Sequence, residues 1–166
     1  LKALRHAFRW AKRANLAKVT FLDGVETATP PKSDGFPTAD ATDIEAFQKR
    51  WPVGARERLM FDLAIYTGAA RADLRRLGPA NVQGDVLAYR RQKTGTEAVV
   101  PITPELRAVI GRAMQGREVV ALAKAPPFIL TGEGKAFTQA GIGNAFGDAA
   151  HAAGWSAGKR VHACRK

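Results

Sequence analysis

The sequence predicts an α+β fold that is mainly α-helical, with one small antiparallel sheet of two or three strands. Three observations predict it. Apolar residues recur at the i, i+3, i+4 and i+7 spacing of helices in several separate stretches. One strong hairpin signal, Lys93-Thr94-Gly95-Thr96, lies between two β-rich runs. No internal repeat or low-complexity tract competes with these elements.

Taken in order, residues 1–18 carry six Lys or Arg and no acid, with Leu1, Leu4, Phe8 and Ala11 on one face of an amphipathic helix. Residues 27–37 (TATPPKSDGFP) hold three prolines, which fix φ and remove donors, and they read as an extended linker and domain boundary. Thr42 and Glu45 have capping-box spacing, and Ile44, Phe47 and Trp51 continue a short helix that Pro52 stops. A second helix over 56–66 ends at Thr67-Gly68, and a third over 71–77 ends before Gly78-Pro79. Strands over 82–92 and 97–102 flank the hairpin. Helices over 104–114, with Leu106, Val109, Ile110, Ala113 and Met114 on one face, and over 138–153, with Ile142 and Phe146, complete the chain.

The chain has 166 residues, of which 46% are apolar and 25% charged, a composition that folds. Its 26 Lys and Arg against 15 Asp and Glu leave a formal charge of +11, which favours a polyanionic partner, nucleic acid first. No apolar run approaches the roughly 18 residues of a membrane span, and the basic N-terminal stretch is no secretory signal, so a cytoplasmic protein is expected. The single cysteine, Cys164, and three separated histidines offer no metal-ligand spacing, so neither metal nor cofactor is expected. The Gly132-Glu133-Gly134-Lys135 stretch has Ile129 where a phosphate-binding loop needs its first glycine and Ala136 where it needs a hydroxyl. The glycines at 141, 143 and 147 miss the dinucleotide pattern by one residue. Neither Ser33 nor Ser156 sits in a nucleophile elbow.

Three pieces in fixed order are more specific. They are Thr67-Gly68-Ala69-Ala70-Arg71-Ala72-Asp73-Leu74, the hairpin Gln92-Lys93-Thr94-Gly95-Thr96, and His162-Ala163-Cys164-Arg165-Lys166. Together, from about Gly35 onward, they resemble the tyrosine recombinase (phage integrase) family, whose counterparts are TGxRxx(D/E), a β-hairpin lysine and HxxR; residues 51–68 resemble the approach seen in prophage integrases. The resemblance implies an integrase-type catalytic domain over 38–166, a linker over 27–37, and the last helix of a core-binding domain over 1–26. It further implies site-specific breakage and rejoining of double-stranded DNA through a phosphotyrosine, without metal, and self-association on DNA. Lys93 then corresponds to the acid that protonates the leaving 5′-oxygen, His162 to the assisting histidine and Arg165 to the second of two phosphate-clamping arginines. Arg71, Arg90, Arg91, Lys159 and Arg160 are expected to contact DNA.

Two departures temper that expectation. Ala70 stands where the first clamping arginine belongs, and Arg71 beside it is turned about 100° around a helix. No tyrosine follows His162-Ala163-Cys164-Arg165, which leads to the expectation of a truncated domain, inactive in cleavage by itself. The rival expectation is a non-catalytic basic DNA-binding or regulatory module.

Overall fold

The computed structural model describes residues 2–18, 22, 24–26, 35–115 and 126–165. Most of the expected linker, residues 27–34, lies outside the described residues. The chain divides into two compact units, Leu1–Asp34 and Gly35–Lys166. In the first, α1 (Lys2–Arg13) carries no buried residue, and the Arg5 guanidinium donates to the Val25 carbonyl.

The second unit begins with α2 (Ala41–Arg50). Its cap is Asp40 rather than the expected Thr42: Asp40 Oδ1 accepts from the Asp43 amide, and Asp43 Oδ2 accepts from the Asp40 amide, each at 2.9 Å. Aspartate is a strong N-cap, and the reciprocal box here closes two residues earlier than the Thr42–Glu45 spacing suggested. Helix α3 (Arg56–Thr67) buries Met60, Phe61, Leu63 and Ala64, so it is wrapped by neighbours instead of lying on the surface. It stops at Gly68, which takes the left-handed conformation (φ 58°) that only glycine adopts without strain.

Helix α4 is a single turn, Arg71–Leu74, shorter than the expected 71–77. The physical reason is a competing partner. The Leu77 carbonyl accepts from the Phe128 amide at 2.8 Å, and Gly78 lies so close to Pro126 and Pro127 that a Cβ there would sit 3.2 Å from backbone atoms. A 3₁₀ turn, Pro79–Asn81, follows. The strand expected over 82–92 is two strands, β1 (Val82–Gln83) and β2 (Val86–Arg90), folded back at Gly84 with φ 61°. With β3 (Glu97–Pro101) they form an antiparallel sheet in the order β1-β2-β3, in which Tyr89 faces Ala98 and Arg90 faces Glu97.

Helix α5 (Pro104–Met114) is capped by Thr103 and α6 (Gln139–Ala152) by Thr138, both close to the expected limits. A 3₁₀ helix, Val161–Arg165, ends the described chain. The core centres on four rings, Phe47, Phe61, Phe146 and Trp155, stacked or edge-on at centroid distances of 4.6–6.2 Å. Two indoles tie the layers: Trp51 Nε1 donates to the Ala149 carbonyl at 3.0 Å, and Trp155 Nε1 to the Asp43 carbonyl at 2.8 Å. Among the described residues no helix is long and apolar enough to cross a membrane, and no His, Cys, Asp or Glu cluster could hold a metal ion.

Candidate phosphate-clamping site

The site grows from the end of α3. Thr67 Oγ1 donates back to the Leu63 carbonyl at 2.5 Å and accepts from the Ala69 amide at 3.2 Å, so the Thr67–Ala70 corner is fixed from within. The Gly68 carbonyl accepts from Arg165 Nε at 2.9 Å, and the Thr67 carbonyl accepts from the Tyr89 hydroxyl at 3.3 Å. Asp73, only 5% exposed, accepts the Gln92 amide through Oδ1 at 2.8 Å, which anchors the root of the hairpin to α4. Three segments far apart in sequence therefore meet at one corner.

Lys93 stands exposed on that hairpin, whose closing bonds are Arg91 N to Thr96 O at 2.9 Å and Gly95 N to Arg91 O at 2.8 Å. His162 and Arg165 are both exposed and three apart on the Val161–Arg165 3₁₀ helix, where residues at i and i+3 eclipse and share a side. The His162 imidazole stacks on the Phe36 ring at 5.3 Å with 25° between planes. Ala70 is the N-cap of α4 and offers no side-chain cap bond. Burial pushes the Tyr89 phenol above its ordinary value, with Asp73 adding to the rise and the cations Arg91 and Arg165 opposing it.

The remaining basic residues divide. Arg90 is exposed at the end of β2. Arg71 lies across α6, its Cδ 2.7 Å from where a Cβ on Gly143 would be, and Arg160 lies one turn further along, 3.0 Å from the same position on Gly147. Lys159, expected to meet DNA, is ion-paired within the protein. Its ammonium is held by Asp43 and, at 3.4 Å, by Asp40, and the Asp43 carboxylate raises its pKa. The two tyrosines of the sequence both have phenols held above the ordinary value. Tyr89 is 7% exposed, and burial also raises the Tyr66 phenol on α3. Cys164 is buried, its thiol pushed up to about 12.

Sequence reading gave Asp73 and Phe36 no role of their own. Asp73 was visible as the acid of the first motif, but its bond to the hairpin joins residues 19 apart. Phe36 lay in what read as linker, and nothing in the spacing pairs it with His162.

With this geometry the chain superimposes on a lambda integrase dimer bound to a COC′ core site with a TM-score of 0.76 and 19% identity, over 99% of this chain and 48% of the other. The XerA recombinase (TM-score 0.65, 16% identity, 98% and 56%) and the integrase from mycobacterium phage Brujita (0.62, 14%, 99% and 53%) are similar as well. The chain has the tyrosine recombinase fold. It spans about half the length of these solved chains. No protein-family model and no curated protein sequence matches it. Within the tyrosine recombinase fold, α3, the hairpin and the Val161–Arg165 helix are the elements that frame the corner described above.

Proposed function

We propose that residues 38–166 are the phosphate-clamping part of a tyrosine recombinase catalytic domain, and that residues 1–26 belong to a core-binding domain that helps hold duplex DNA. By lineage the function is site-specific DNA recombination and integration. The observation that carries this reading is the 2.9 Å bond from Arg165 Nε to the Gly68 carbonyl, which joins the HxxR segment to the TG corner, 97 residues away. Structures of similar proteins, bound to a core site as a dimer and to a Holliday junction as a tetramer, support a DNA partner and self-association for this chain too.

In the proposed reaction a tyrosine hydroxyl attacks the phosphorus of a DNA phosphodiester. The new bond is a 3′-phosphotyrosine, and the bond that breaks releases a 5′-oxygen. Lys93 supplies the proton to that oxygen, His162 assists at the nucleophile, and Arg165 holds the non-bridging oxygens. Neither Tyr66 nor Tyr89 follows His162-Ala163-Cys164-Arg165 in the sequence, and the Tyr89 hydroxyl is engaged by the Thr67 carbonyl, so the proposal assigns the attacking phenol to neither. Ala70 removes one guanidinium, so cleavage by these residues alone is expected to be suppressed and binding to dominate. A non-catalytic DNA-binding module is the second reading, and Ala70 is the observation that favours it.

The test is Ala70→Arg, read by fluorescence anisotropy on labelled duplex and by covalent capture of DNA when a tyrosine-bearing segment is joined to the chain. Tighter binding together with capture supports the recombinase reading. Tighter binding without capture supports the binding module. No gain in either measurement overturns the placement of the clamp at position 70.

A further inference from the structure

The segment 35–40 runs as a strap beside the part of the chain that presents His162, and three contacts and one close approach lace the two together. The Phe36 ring stacks on the His162 imidazole. Pro37 Cγ lies 3.8 Å from where a Cβ on Gly158 would be. The Ala39 amide donates to the Ala163 carbonyl at 3.1 Å. Asp40 and Asp43 hold Lys159. The ties fall at 158, 159, 162 and 163, on both sides of the histidine in sequence.

An exposed imidazole has two side-chain torsions and no reason to keep one setting. A stacked ring limits both torsions yet leaves the ring edge, where the two nitrogens lie, available for hydrogen bonding. Phe36 is 66% exposed, a large apolar side chain that contributes little to the core. Its position over His162 gives it a purpose that core packing does not.

We infer that Phe36 is a positioning residue for His162, and that the strap fixes the angle at which the imidazole meets a bound DNA phosphate. The inference rests on the DNA-binding reading above. It makes residues 35–40 part of the site.

Nuclear magnetic resonance of the imidazole protons in the whole 166-residue chain tests this, with His162 assigned by the signals lost in His162→Gln. In Phe36→Leu the His162 signals should move downfield as the neighbouring ring current disappears, while those of His6 and His151 stay in place. Phe36→Tyr keeps a ring and should retain the original His162 positions, which also provides a folded comparison if the leucine variant does not fold. Saturating short duplex DNA should shift the His162 signals of the unsubstituted chain and shift them less in Phe36→Leu. His162 signals indifferent to Phe36→Leu, or lost in a folded Phe36→Tyr, overturn the inference. Duplex binding with equal His162 shifts in both chains overturns the inference alone, whereas a chain that binds no duplex overturns the functional reading and the inference with it.

Discussion

Position 70 decides more than any other residue. A guanidinium aimed at a developing oxyanion is worth about 3–4 kcal/mol of barrier, by analogy with the loss of one oxyanion donor. On the proposed function Ala70 forgoes that, and the Arg71 side chain beside it is laid across α6 at Gly143. The two helix-interior glycines under Arg71 and Arg160 are costly, since each gives up about 1 kcal/mol of helix propensity relative to alanine. Their use is space. In Gly143→Ala the new methyl meets Arg71 Cδ at 2.7 Å and Nη1 at 2.9 Å, and the flexible arginine must leave its seat. Thermal unfolding should show stability unchanged or raised by up to about 1 kcal/mol, while anisotropy on duplex DNA shows weaker binding. Loss of stability with unchanged affinity would make Gly143 a packing residue and Arg71 irrelevant to DNA. The glycines were legible in the sequence only as a failed nucleotide pattern, because nothing in their spacing pairs Gly143 with Arg71 or Gly147 with Arg160.

Among the elements, the helices after 100 followed their apolar spacing closely, since α5 and α6 each carry a threonine cap that competes with nothing nearby. The short elements did not. Helix α4 is set by a partner distant in sequence, Phe128 for Leu77, about which local propensity is silent, and the run over 82–92 is split by the turn at Gly84. The same holds for the start of α2, where Asp40 and Asp43 cap the helix and also hold Lys159. That double duty fixes the pH behaviour of the strap. The Asp40 carboxyl is held below its ordinary 3.8, chiefly by the Asp43 amide, so its contribution is present above about 3.8 and is lost as pH falls through the lower folded value. Lys159 is held above 10.5, chiefly by Asp43, so its contribution is present below 10.5 and is lost as pH rises through the higher folded value. Asparagine caps helices as well as aspartate but does not titrate in this range. Asp40→Asn should therefore lower the melting temperature near neutral pH and converge with the unsubstituted chain as pH falls below 3.8 and through the lower folded value. A constant difference across that range would mean that the carboxylate charge contributes nothing.

At the scale of the whole molecule, a formal charge of +11 favours a polyanionic partner but does not say where it would lie. The fold supplies the where, by separating cations already matched by carboxylates from those left facing outward. Lys159 belongs to the first group, as does Arg58, which is bound to Asp62 at 2.9 Å. Arg71, Arg90, Arg91, Lys93, Arg160 and Arg165 belong to the second by exposure or by their place at the corner. Each phosphate neutralised releases counterions, and the slope of log K against log salt is about −0.9 per contact. If these six all reach phosphates they contribute a slope of about −5, to which any contacts from α1 add. Substitution separates the groups more sharply than the total does. Lys93→Gln should weaken duplex binding about equally for every sequence tested and flatten the slope by about 1. Lys159→Gln should leave the slope unchanged at a temperature where both chains are folded, because the charge it removes already has its partner in the protein. A flattening in Lys159→Gln equal to that in Lys93→Gln would mean that DNA competes successfully for the ammonium held by Asp43, and that the strap opens when the chain binds.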